Sequence, residues 1–177
     1  MKKVFFLLFL FPAASLAQKI QVSTYDKTSK SYIIETSGVQ VKVDLDDIFG
    51  LKIRSQDTLL LLIAEGVGET ARNISAGDPL IFFLSRGDSA VSISVRDQGY
   101  KKGSFADNYI HFYSISKNEL MKIQRSSLMS IRMYTATGFK DIKIKDKRSE
   151  LLQELVPVFL QEYNTKSKQF GSSTSLH

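Results

Sequence analysis

The sequence predicts an all-β domain, either a sandwich or a partly closed antiparallel barrel of eight or nine strands, with one short helix and a C-terminal helix packed on the sheet. Three observations predict it. Short runs rich in Val, Ile, Tyr, Phe and Thr alternate apolar with polar residues along most of the chain. Gly, Asp, Asn or Ser separates one run from the next. Only near the C-terminus does the apolar spacing change from every second residue to the three-and-four step of a helix.

In chain order, residues 1–17, MKKVFFLLFLFPAASLA, place two lysines before an apolar run from Val4 to Phe11 and then the small residues Ala14, Ser15 and Ala17. That is the layout of a secretory signal peptide, with cleavage expected after Ala17, and the apolar run is too short to span a bilayer. The remainder suits one domain that buries roughly 70% of its unfolded surface. The expected strands are KIQVSTY, KSYIIET, VQVKVD, TLLLLIAE, PLIFFLS, SAVSISV, NYIHFYSI, LMSIRMYT and FKDIKIK. Ser116-Lys117-Asn118-Glu119 is a capping box, hydroxyl first and carboxylate three residues on, opening a short helix through about Gln124. The second helix follows Asp146, whose carboxylate can cap the free amides. Its Leu151, Leu152, Leu155, Val156, Phe159 and Tyr163 form one apolar stripe that must lie on the sheet. Pro157 lacks an amide donor, so a kink or an early end is expected there. Residues 18–163 read as a single domain, and the polar, Ser-rich residues 164–177 as a disordered tail.

The chain has no cysteine, which excludes disulfides, thiolate metal sites and a cysteine nucleophile. Its formal charge of +6 falls to +4 once Lys2 and Lys3 leave with the signal. Residues 117–148, with 9 basic and 3 acidic side chains, hold the whole excess.

Two hairpins carry the most information. Arg86-Gly87-Asp88, the tripeptide that integrins read, lies between two strands and has a sufficient role as a turn. With Gly87-Asp88 as a two-residue loop, Leu84 faces Val91, Phe82 faces Ile93 and Leu80 faces Val95, an apolar ladder. In LMSIRMYTATGFKDIKIK, setting Thr137-Gly138 as the loop places Met133 opposite Ile142 and Ile131 opposite Ile144 on an inner face. Outside, Tyr134 then faces Asp141 and Arg132 faces Lys143, with Lys145 extending the stripe. Like charges directly opposed on a sheet are destabilising by a few tenths to about 1 kcal/mol. Such a pair is either solvated charge or a strip that binds an anion, with Arg132, Tyr134, Lys143 and Lys145 as its contacts. An acidic protein, a glycan or an anionic membrane surface fits; nucleic acid fits poorly, because its binders interleave several exposed aromatics and only Tyr134 is at hand.

Elsewhere the chemistry is thin. In NYIHFY, alternation puts Tyr109, His111 and Tyr113 on one face and Ile110 and Phe112 on the other, so His111 reads as a partly covered histidine, and no nucleophile motif exists to partner it. Asp44, Asp46 and Asp47 lack the spacing of a calcium loop and read as a strand-ending turn. Asn73-Ile74-Ser75 fits a glycosylation triplet. The polar loop RDQGYKKGSFADN offers Tyr100, Lys101, Lys102 and Phe105 as contact residues. No residue pattern calls for a catalytic site, a metal or a cofactor.

The run YSISKNELMKIQRSSLMSIRMYTATGFKDIKIKDKRSELLQEL, Tyr113 to Leu155, resembles the C-terminal part of small exported, uncharacterised β-rich proteins of Bacteroidetes: a tyrosine strand, a short helix, an IRxYT..G hairpin and a closing helix. The resemblance implies an exported bacterial protein and supplies no activity or catalytic residue. The order of strands followed by one helix also resembles pleckstrin-homology-like barrels in topology. The sequence therefore predicts a periplasmic or extracellular, non-enzymatic binding or interaction module. A barrel carrying an apolar lipid and a hydrolase with an unrecognised site are the alternatives.

Overall fold

The computed structural model describes residues 19–29, 31–44, 47–68, 71–144 and 146–171. The expected signal peptide with its cleavage point, Asp46, Lys145, the capping carboxylate of Asp146 and residues 172–177 lie outside this description.

Among the described residues eleven strands form: β1 (Ile20–Asp26), β2 (Ser31–Thr36), β3 (Val39–Val43), β4 (Asp47–Gln56), β5 (Leu59–Gly68), β6 (Pro79–Leu84), β7 (Ser89–Ser94), β8 (Tyr100–Lys101), β9 (Asn108–Ser114), β10 (Leu128–Thr135) and β11 (Gly138–Lys143). Helix α1 (Lys117–Arg125) precedes β10, and α2 (Asp146–Gly171) closes the chain. Nine of the strands are those the alternation marks. The other two are β8 and β4, and β4 starts at Asp47, whose carbonyl accepts the Asp44 N–H at 3.0 Å at the expected strand-ending turn. Its Phe49, Leu51 and Ile53 are fully buried and alternate with Gly50, Lys52 and Arg54, the period of a half-buried strand.

All pairings are antiparallel, in the order β1-β2-β4-β5-β9-β7-β6-β10-β11. The sheet does not close. Two strands branch from this path: β3 pairs β4, and β8 pairs β9. Long β4 thus carries β2 on Arg54–Gln56 and β3 on Ile48–Leu51 of one edge. One face of the sheet and the apolar stripe of α2 build a single core, in which Leu152, Leu155, Val156, Phe159 and Leu160 meet Phe49, Phe82 and Tyr113 among others. Five such side chains are worth on the order of 10 kcal/mol in gross transfer free energy. Leu160 takes the place expected of Leu151, which points to solvent.

Helix α2 touches β2, β3 and β4 on one flank and β10 on the other, so it ties the two arms of the sheet together. It does not end at Pro157 but runs to Gly171. Residues 164–171 are therefore helical rather than disordered. Asn164 accepts Lys117 Nζ at 2.9 Å, and Lys166 Nζ lies 5.4 Å from the Tyr32 ring centroid, so the turn that holds these two residues has partners.

The capping box forms in half. Ser116 Oγ accepts Glu119 N–H at 3.1 Å, while the Glu119 carboxylate takes the Val91 N–H of β7 at 2.8 Å.

The β6–β7 hairpin has a different register from the one expected, with an earlier, three-residue loop in place of Gly87-Asp88. Ile81 pairs with Val91, Phe82 with Ala90 and Leu80 with Ser92, around a turn over Ser85–Gly87 in which Arg86 and Gly87 both have positive φ. Leu80, Phe82 and Leu84 still point inward, but opposite Ala90 and Ser92. Val91 and Ile93, the large apolar residues of β7, point out.

Candidate functional site

The hairpin singled out by charge has the faces expected and a different register. Ile131, Met133 and Ile142 are buried, Ile144 packs against the core, and Arg132, Tyr134 and Lys143 are on the outer face. The pairing is slipped by two residues: Arg132 faces Asp141, Lys143 faces Ser130, and Tyr134 faces Phe139. The opposed like charges are absent. The turn holds Thr135 opposite Gly138, with Ala136 and Thr137 between them. Arg132 grips Asp141 in a two-pronged pair, Nε to Oδ1 at 2.7 Å and Nη2 to Oδ2 at 2.8 Å. The bond holds the Asp141 carboxyl below its ordinary pKa and the guanidinium above its own.

Across the outer face a new feature appears. Val91, Ile81, Arg132 and Asp141 form one row over four strands, and Ser89, Phe83, Ser130 and Lys143 form the next. On the other side Ile93 sits beside Ser114 of β9, which in turn faces Leu61 of β5. Phe83, Val91, Ile93, Val95, Ile110 and Phe139 are all exposed, between 36 and 57%. Two arginines lie on aromatic rings of this face. Arg132 is 4.1 Å from the Phe139 centroid and 5.6 Å from that of Phe83, and Arg96 is 5.5 Å from that of Phe112. Sequence reasoning missed this surface because the register it assumed turned Val91, Ile93 and Val95 inward. The chain matches no family model, no curated protein and no solved structure.

The remaining sequence candidates disperse. His111 is fully buried rather than partly covered, with Nε2 3.2 Å from Gly99 O and its ring 4.7 Å from that of Tyr109. Tyr100 packs against the core, whereas Lys101, Lys102 and Phe105 are exposed and Phe105 is fully so. Arg86, Gly87 and Asp88 are exposed at the turn. Asp47 is buried and held by Lys42, which also pairs with Asp44 at 3.4 Å. Burial works against the Lys42 charge, but the hydrogen bond and Coulombic pull of Asp47, then of Asp44, outweigh it and keep its pKa above the ordinary value. Among the described residues no cluster of His, Asp or Glu has the makings of a metal site, and no helix is long and apolar enough to cross a membrane.

Proposed function

We propose that the protein is an exported, non-enzymatic binding module, and that its contact surface is the outer face of β6, β7, β9, β10 and β11. The carrying observation is the set of six large apolar side chains exposed on that face. Monomers rarely expose a contiguous apolar patch of more than about 300–600 Å², and such patches mark interaction sites. Arginine laid on aromatic rings is the composition of binding hot spots. The partner that fits is a protein segment with apolar side chains flanked by carboxylates, because Arg96, Arg132 and Lys143 border the patch, while of the acids beside it Asp141 is held by Arg132 and Glu119 by Lys122 and the Val91 N–H. The signal-peptide layout of residues 1–17 and the resemblance to exported Bacteroidetes proteins support export.

A photo-crosslinking residue at Val95 tests this in the producing cell. One discrete protein adduct is expected, and Ile93→Glu should remove it with the circular dichroism spectrum and thermal midpoint unchanged, since Ile93 is exposed. No adduct, an adduct indifferent to Ile93→Glu, or one formed with a second copy or with lipid would overturn the reading.

A further inference from the structure

The two arms of the sheet end facing a common cleft. Among the described residues β3 pairs only with β4 and β11 only with β10, so each leaves one edge of backbone N–H and C=O groups without a strand partner. Both edges line a single cleft of about 350 Å³, with Lys42 and Asp44 on the β3 side, Lys140, Asp141 and Lys143 on the β11 side, and Arg148 from the first turn of α2. This volume falls within the range of roughly 300–1,000 Å³ typical of ligand sites. The charge leans basic: Lys42 is held by Asp44 and Asp47 and Asp141 by Arg132, while Lys140, Lys143 and Arg148 bring further positive charge to the lining.

We infer that this seam binds an extended, acidic peptide segment, which adds as a strand to the β11 edge while its carboxylates meet the lysines on either side. The site adjoins the outer face at Asp141 and Lys143 but does not depend on its exposed apolar side chains. Two arms of one sheet that end beside each other would ordinarily pair and close a barrel. Here direct pairing would bring Lys42 toward either Lys140 or Lys143, according to register, and opposed like charges disfavour it. A guest strand with alternating carboxylates removes that repulsion and supplies the missing backbone partners, the mode in which extended peptides join sheet edges. The choice of β11 over β3 follows from α2. The helix packs against β3, and Arg148 Nη1 already donates to the Gln40 carbonyl of that strand at 2.7 Å. The seam also accounts for the charge pattern: Lys140, Lys143 and Arg148 all come from residues 117–148, which hold the chain's basic excess.

The test uses the full chain and a fluorescein-labelled peptide in which valine alternates with glutamate. Saturable binding by anisotropy is expected, with amide exchange slowed across Gly138–Lys143. A version N-methylated at alternate residues, with the same charge but without those backbone donors, should bind at least tenfold more weakly. The double variant Lys140→Glu, Lys143→Glu should lose binding tenfold or more, whereas Ile93→Glu should leave it unchanged. Should that double variant fail to fold, Lys143→Gln, at an exposed lysine of the same edge, should still weaken binding several-fold. Equal binding of the N-methylated peptide would show attraction by charge alone and overturn the inference. So would absence of saturation at millimolar peptide, or protection that appears on the outer face instead.

Discussion

Gln98 does the work of a backbone. Its Oε1 accepts the Phe112 N–H at 2.6 Å, its Nε2 donates to the Phe112 carbonyl at 2.9 Å, and the same Nε2 reaches Ser94 Oγ at 2.8 Å. It thereby fills the gap between β7 and β8 along β9 with a carboxamide. Gln98→Leu orphans the Phe112 N–H and leaves its carbonyl with only the Val95 N–H at 3.2 Å, so the unfolding free energy should fall by about 1–3 kcal/mol, measured by urea denaturation. One residue earlier on β9, His111 answers to pH. Burial depresses its pKa below the ordinary 6.5, and the bond to Gly99 O only partly offsets this. Below that pH the unfolded chain takes up a proton that the folded one refuses. Stability is therefore full above about pH 6.5 and falls as pH drops toward the folded value. The urea midpoint should decline between about pH 7 and about pH 5.5, and His111→Leu should flatten that slope whatever it does to the plateau. Neither role is visible in the sequence, where Gln98 is one polar residue of a loop and His111 one member of an alternating strand.

Strands were legible because one face of each is buried, which imposes a period of two that survives any error in pairing. Ile131, Met133 and Ile142 were placed inward correctly even though their cross-strand partners were wrong. Register was not legible, since it depends on turn geometry. Arg86 adopts φ 68°, a conformation that an arginine signals poorly, and the turn at Ser85–Gly87 shifts every pair of β6 and β7. The candidate surface disappeared with the same error. Strand β4 was lost because three aspartates drew attention to a turn, although Phe49, Leu51 and Ile53 already alternated. At its centre β4 also shows why glycine recurs at Gly66 of β5, which stands between Phe49 and Tyr109 in the sheet. A methyl there would sit 2.1 Å from the Ile48 carbonyl oxygen and 2.9 Å from Tyr109 Oη. Gly66→Ala should cost about 1–3 kcal/mol and appear as a lower thermal midpoint by circular dichroism.

At the scale of the molecule, the class of fold was legible from composition and period, and so was the helix that lies on the sheet. That the sheet stays open was not, because it follows from which two strands come last in the lateral order rather than from any one of them. The same order has a kinetic side. β9 is made after β7 yet lies between β7 and β5. During synthesis β5 and β6–β7 are therefore complete while the slot between them is still empty, and their vacant flanks attract one another. Sheet assembly ends by threading a strand into place rather than by adding one outside, a long-range step that is slow and open to mispairing. Substitutions within Asn108–Ser114 thus bear on how quickly the native arrangement is reached, beyond any effect on how firmly it is held.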